Sequence, residues 1–223
     1  MTQYDANTST SQRNLLPQIK IKPQKGQNMK FTKLPENTFE ELQLNAGLLL
    51  STFTPATASV EDTNILGATS GGVSFADTPT YQDFGDDIDN CPKNTKELKR
   101  IVSRDIKISG TFLTVNTTRA KSLIAAADVD AQDASKITPR DTLALADFTD
   151  IWWVGDYSDK NGATNGGYIA IHLKDALSTG GFALQSGDKA KGQFAFEYTA
   201  HYSLNNTDAV PYEIYIKSGT AEA

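Results

Sequence analysis

Four aspartates, Asp83, Asp86, Asp87 and Asp89, fall within one seven-residue stretch. Carboxylates at such spacing could clasp a hard cation. A calcium loop of the EF-hand kind also wants glycine at its sixth position and glutamate at its twelfth. Counted from Asp87, those positions hold Pro92 and Leu98, so the match fails. Asp83-Phe84-Gly85 spells the magnesium-holding triplet of protein kinases, but the accompanying H-R-D loop and strand lysine are missing. His172 and His201 each occupy the polar register of an alternating segment and are expected to be exposed or hydrogen-bonded at the surface. Zinc needs three or four clustered ligands, and the only thiol is Cys91. No G-x-S-x-G elbow or phosphate loop occurs, and GDKAKG at 187–192 only imitates the latter. Trp152, Trp153, Tyr157 and Tyr168 could form an aromatic platform for a sugar, although strand aromatics more often fill a core or anchor an interface. The expectation is no catalytic residue, no metal, no cofactor and no enzyme.

What remains is a long connection. Residues 83–100 join two segments that alternate like strands, whereas hairpins turn in about two to five residues. Their first half is acidic and their second half basic, with Lys93, Lys96, Lys99 and Arg100 diluted by Glu97. The stretch looks short of apolar anchors. Its charge blocks can satisfy each other within one molecule or meet opposite blocks on a neighbour. Single surface ion pairs contribute about 0–1 kcal/mol, but repeated around an assembly they fix register. The separation of sign suggests a head-to-tail contact, which generates rings or filaments.

The 223 residues suffice for one large domain, and 39% hydrophobic with 22% charged residues is an ordinary globular composition. No apolar run approaches the ~20 residues of a membrane helix. No apolar segment of a secretory signal opens the chain, and Cys91 reads as a plain thiol of a reducing compartment. Arg13, Lys20, Lys22 and Lys25 against Asp5 give residues 1–28 a balance of +3; with −6 for the whole chain, residues 29–223 carry −9. That argues against gripping DNA through its phosphates, which takes clustered Lys and Arg. Residues 1–29 read as a flexible arm, or as over-annotated sequence upstream of a natural start at Met29.

Residues 30–223 read as one mostly-β domain: two packed antiparallel sheets, a sandwich or partial barrel, with one flanking helix. In 191–203, Phe194, Phe196, Tyr198, Ala200 and Tyr202 alternate with polar residues, predicting a half-buried strand of roughly 40 Å. Ile106, Ile108 and Phe112 share a face in 104–116; Ile169, Ile171 and Leu173 do so in 167–173; Tyr212, Ile214 and Ile216 in 211–217. Further strands are expected around 39–53, 71–77, 147–157 and 181–185. Asn161-Gly162 and Asn165-Gly166 mark a hairpin loop. The helix is placed at 117–128, capped by Asn116 or Thr117, with Ala120, Leu123, Ile124 and Ala127 as its apolar stripe. Residues 129–146 read as loop, broken at Pro139.

TSGGVSF (69–75), DFGDDIDNCPKNTKELKRI (83–101), SGTFLTV (109–115), ITPRD (137–141), DFTDIWWVGDYSD (147–159), STGGF (178–182) and KGQFAFEYTAHYSL (191–204) occur in this order. As a set, over roughly 30–217, they resemble the major tail-tube proteins of long-tailed bacteriophages and prophages of Gram-positive bacteria. The resemblance implies a subunit that closes hexameric rings, each copy giving four strands to an inner barrel, with rings stacked into the tail tube of a virion assembled in the host cytoplasm. It implies partners: further copies of itself, a tape-measure protein, and tail terminator and distal tail proteins. DNA passes through the lumen without specific binding, and no membrane is involved. Residues 83–100 would be the loop that reaches the adjacent ring or subunit. Twenty-four strands at ~4.8 Å give an inner wall roughly 37 Å across, wide enough for duplex DNA. Excess acid would let DNA slide, and the polar face with Glu197 is the candidate lumen face.

Two other readings stay open. One is a monomeric carbohydrate-binding β-sandwich; the other is the tube protein of a contractile tail or secretion system, which needs a sheath gene as neighbour. Peptides from residues 1–28 in mass spectra of the native protein are expected to be missing if translation starts at Met29; finding them refutes that start.

Overall fold

The computed structural model describes residues 31, 33–158 and 166–220. By contacts the chain divides into two units, Met1–Glu36 and Asn37–Ala223. The arm expected at 1–29 and the turn expected from Asn161-Gly162 lie outside the described residues. All elements below belong to the second unit.

The strands are β1 (Leu48–Leu50), β2 (Thr69–Asp83), β3 (Lys99–Phe112), β4 (Ala127–Val129), β5 (Ile137–Pro139), β6 (Thr149–Tyr157), β7 (Gly167–Ser178), β8 (Ala183–Gln185), β9 (Gln193–Thr199) and β10 (Tyr212–Lys217), with a helix α1 (Thr117–Ile124). The fold is mostly β. β1, β6, β7, β9, β3 and β2 form one antiparallel sheet in that order, β10 adding to β7 and β8 to β9, while β4 and β5 form a small second sheet. The large sheet folds over on itself. β7 pairs with β10 through Leu173 and with β6 as far as Ala176, past a register shift, then with β9 at Leu177 and Ser178. At that shift Asp175 takes φ 48°. The expected pair of packed sheets thus exists as two halves of one sheet, joined by a shared strand. Between the halves lies the main core: Leu49, Ile151, Ile171, Leu173 and Ala176 from one side, Ile106, Ile108, Phe112, Phe194, Phe196 and Tyr198 from the other.

The first half buries its far face too. Leu50, Phe53, Trp152, Val154, Tyr168 and Ala170 form a second cluster there, backed by Ile65 and Tyr215. The Tyr168 hydroxyl donates to the Pro55 carbonyl at 2.7 Å. β7 is therefore buried on both faces, and the shared face of Ile169, Ile171 and Leu173 is one of the two that are covered. His172 is correspondingly not a surface residue. Its ring stacks on Trp152 at 3.8 Å between centroids, with Nε2 2.9 Å from an Asp150 carboxylate oxygen.

Several boundaries differ from expectation. β9 ends at Thr199 rather than 203, because β3, its partner, leaves the pairing at Lys107. Ile214 and Ile216 are exposed, since β10 overhangs the opposing half and only Tyr212 reaches the core cluster. Residues 38–41 form a 3₁₀ turn where a strand was predicted. α1 begins as expected, the Asn116 side chain accepting from the Arg119 N–H at 2.8 Å. It stops at Ile124, because Ala125 takes φ 70° and Ala127 enters β4 opposite Pro139. Residues 129–146 therefore contain β5. Leu123, fully buried, seats the helix on the core, and Ser122 Oγ lies 3.1 Å from the Tyr198 hydroxyl.

Leu173→Ala is expected to cost about 2–5 kcal/mol, because it empties a fully enclosed site. Ile216→Ala, with the same strand alternation but 61% exposed, should change stability by no more than about 0.5 kcal/mol. Urea denaturation of dilute protein checks both.

Candidate assembly surface: the β2–β3 ribbon and its charged loop

β2 and β3 pair from Thr69↔Phe112 to Asp83↔Lys99, with register shifts between Ser70 and Val73 and between Thr80 and Tyr81. Gly71 and Gly72, at φ 78° and 84°, make the first shift possible. β9 supports β3 only from Lys107 to Phe112. From Lys99 to Ile106 the ribbon has no third strand, and its outer part, Lys99 to Ser103, projects past the body by roughly 16 Å at strand rise. Both its faces are open: Tyr81, Ile101 and Val102 are each about half exposed.

The root of the ribbon is clamped. Asp77 on β2 forms an ion pair with Arg104 on β3, and its Oδ2 also accepts the Tyr212 hydroxyl at 2.9 Å. Burial, and next the bond to Asp77, push the Tyr212 pKa up. Asp77 and Arg104 side chains are 13% and 22% exposed, so this pair is shielded from salt better than those at the tip.

At the tip, the loop folds on itself. Asp83 Oδ1 accepts the Gly85 N–H at 2.9 Å, and Oδ2 accepts the Asn94 N–H at 2.6 Å. These two bonds, helped by Lys99 and Lys93, hold the Asp83 carboxyl below its usual pKa. Phe84 N–H reaches the Leu98 carbonyl at 3.2 Å, and Asn90 and Asn94 turn the chain with φ near 60°. Gly85 is glycine for packing: a Cβ there would meet Leu98 Cδ1 at 2.9 Å and Cys91 Sγ at 3.0 Å. The kinase-like triplet is thus a loop-folding device.

The charge blocks do not clasp each other. Lys99 Nζ donates to Asn94 Oδ1 at 3.1 Å, and Arg100 to the carbonyls of Glu97 and Lys99. Lys96 pairs with Glu97 at 3.5 Å, both side chains largely in water. Among the described residues, Asp86, Asp87, Asp89 and Lys93 make no ion pair, and no group of three His, Cys, Asp or Glu is placed to hold a metal. The loop also carries apolar anchors that sequence reading missed: Phe84 and Ile88 are each 51% exposed. Their four-residue spacing inside an acidic run was the available signal.

Glu197 sits elsewhere, on the outward face of the second half. There Ser109 lies opposite it, with Lys107 opposite Thr199, Thr111 opposite Ala195 and Ser74 opposite Ser109. Lys107 Nζ lies 3.0 Å from Asp105 and 3.5 Å from Glu197, and Thr179 Oγ1 donates to Glu197 at 3.0 Å. The Asp105 bond is the first cause that raises the Lys107 pKa. The face is small, hydroxyl-rich and close to neutral, so the excess acid of the chain lies off it. Of the supposed aromatic platform, Trp152 and Tyr168 are buried, and Trp153 Nε1 is committed to the Ala46 carbonyl at 3.0 Å. His201 is half-buried, its Nδ1 3.2 Å from the Asp175 carbonyl oxygen.

No protein-family model matches the chain. No curated protein matches it in sequence at a significant level.

Because the folded-state pKa of Asp83 is depressed, its hold on the loop is present above the ordinary carboxylate pKa. It is lost as pH falls through the depressed value. Amide exchange at Gly85 and Asn94, corrected for intrinsic rates, is expected to accelerate below about pH 4. Asp83→Ala should show the same acceleration at neutral pH, with amides of Ile106 and Ile108 unchanged.

Proposed function

We propose that this chain is a structural subunit that assembles with copies of itself into stacked rings, forming the tail tube of a long-tailed phage. The observation that carries the reading is the unsupported ribbon. A two-stranded projection with Tyr81, Phe84, Ile88, Ile101 and Val102 in water is a liability for a solitary protein and an anchor set for an assembling one. Its tip adds charges of both signs that make no ion pair among the described residues, Asp86, Asp87 and Asp89 against Lys93, which suit a neighbour's opposite blocks. The ordered segments that resemble tail-tube proteins point the same way.

In this reading the ribbon reaches the adjacent ring or subunit, while β2 offers the stretch of free edge inside its guards, Val73 to Thr78, to a neighbouring copy. The outward face with Glu197, Ser109 and Thr111 lines the lumen. Its near-neutral hydroxyl surface offers DNA no lysine cluster to grip, Lys107 being committed between two carboxylates. Tape-measure, terminator and distal tail proteins are the further partners, and the chain carries out no catalysis.

Negative-stain images of concentrated protein are expected to show rings or tubes; particles that stay single and globular overturn the proposal. Replacing Lys93, Lys96 and Lys99 together by Glu should abolish stacking while stability moves by less than about 1 kcal/mol, as exposed positions allow. Normal tubes from that variant would remove the loop from the stacking contact.

A further inference from the structure

The first sheet half ends in two edges, and they differ. Beside β1, the edge is closed by the chain itself: Ser51 N–H donates to the Asn64 carbonyl at 2.9 Å, and Leu66 N–H to the Leu49 carbonyl at 2.8 Å. Beside β10 no further strand follows among the described residues, where β10 pairs with β7 alone. Edges left open in this way are normally guarded by proline, bulges or inward charges. β2 shows such guards, with Pro79 and two register shifts. β10 lacks the proline and the bulge: six residues pair with β7 without interruption, and its two charges, Glu213 and Lys217, are of opposite sign.

The phase of β10 follows from one bond. Lys174 N–H donates to the Pro211 carbonyl at 3.0 Å, so the backbone groups of residues 211, 213, 215 and 217 turn toward β7. Those of Tyr212, Ile214 and Ile216 turn to the open side. Tyr212 N–H is already taken by the Val210 carbonyl at 2.8 Å, which leaves Ile214 and Ile216 with donor and acceptor both without a partner among the described residues.

We propose that β10 is a self-complementary edge through which two copies of the free subunit form a two-fold dimer, pairing β10 antiparallel with β10 of the second copy, centred on Tyr215. In that register Ile214 faces Ile216 of the second copy, and the two residues exchange both backbone bonds; symmetry repeats the exchange. Ile214 and Ile216 are 48% and 61% exposed on one face, and the pairing joins the two copies' isoleucines into one apolar strip. On the other face Glu213 falls opposite Lys217 of the second copy, twice. Glu213 keeps 42% of its side chain in water beside Lys174, so a second cation can reach it. Sliding the strands by two residues sets Glu213 against Tyr215 or Gly219 and loses the charge match. Charge and apolar pattern therefore select one register and one orientation.

A two-fold contact joins copies that point opposite ways. It cannot recur between successive subunits of a polar tube, so it belongs to the unassembled protein and stands whether or not the tube reading holds.

The experiment is sedimentation equilibrium over about 1–500 µM, a range that brackets a weak single-strand contact. Mass should rise from monomer through dimer with concentration, whether or not larger rings follow at the upper end. Lys217→Glu should weaken the dimer about tenfold, because both opposite-charge pairs become like-charge pairs. In a Cys91→Ser background, a mixture of Glu213→Cys and Lys217→Cys chains should form a mixed disulfide under mild oxidation, since directly opposed residues lie within bridging distance. Glu213→Cys alone should form none. Circular dichroism confirms that each variant is folded. A wild-type chain that stays monomeric throughout overturns the proposal. So does a dimer that is indifferent to Lys217→Glu and yields no mixed disulfide.

Discussion

Everything in this molecule depends on β7 being shared. One strand serves as the middle of the first sheet half and, four residues beyond Leu173, as the flank of β9 in the second. The handover occurs at Asp175, whose positive φ would cost a non-glycine residue stability if nothing held it. Two contacts hold it. The Asp175 N–H donates to Asp150 Oδ1 at 3.1 Å, and His201 Nδ1 lies 3.2 Å from the Asp175 carbonyl oxygen. Asp150 reaches from the start of β6 and His201 from just past β9, so the bend is pinned from both halves. Ala176, Leu177 and Ser178 then continue into the core, Ser178 Oγ donating to the Leu123 carbonyl at 2.9 Å and bringing α1 onto the seam.

That geometry sets where support runs out. β9 leans on β7 for only two pairs and on β8 for three, and β3 leans on β9 for six. Each step outward from β7 adds a strand whose pairing is out of step with the last. β2 and β3, the longest strands, consequently finish unsupported. The Asp77–Arg104–Tyr212 clamp marks the last point where the ribbon is tied to the body, through β10. Beyond it, the ribbon is stiffened by its own ladder and by the Asp83-organised tip, not by packing. An element so built keeps its shape while leaving its side chains available, which is what a contact between subunits requires.

Much of this was legible in the chain and some was not, for reasons that differ by element. The alternation Phe194, Phe196, Tyr198 gave the correct buried face of β9, because side-chain direction in a strand is fixed by the backbone. It could not give the strand's end, which is set by where β3 departs. β7 misled because a strand covered on both faces has little alternation to read, and His172, expected at the surface as an exposed or hydrogen-bonded residue, is hydrogen-bonded but covered by Trp152. β10 misled the opposite way: Ile214 and Ile216 have the core phase but overhang the opposing half. α1 was cut short by the β4–β5 pair, a tertiary demand that outweighs the helix preference of Ala125 and Ala126. At the charged loop, sequence showed the sign separation but hid the Phe84 and Ile88 anchors among aspartates.

The two halves also differ in what they show the outside. The first is sealed on its far face, where Phe53 packs on Trp152 and Tyr168 with ring centroids 5.6 and 5.3 Å apart. The second is bare on its far face, and what it bares is Ser, Thr, Ala and a lysine already neutralised by Asp105 and Glu197. Sealing one face with a covering segment and leaving the other to short hydroxyl side chains is not what a binding pocket asks for, since it offers neither concavity nor apolar grip. It suits a surface whose use is to let a polyanion go by. On the tube reading, that contrast gives the subunit its inside and outside before any neighbour is added. An acidic lining is then unnecessary: a wall holds DNA only through cations that can release its counterions. Among the described residues of this face, the cation at its centre, Lys107, is already spoken for.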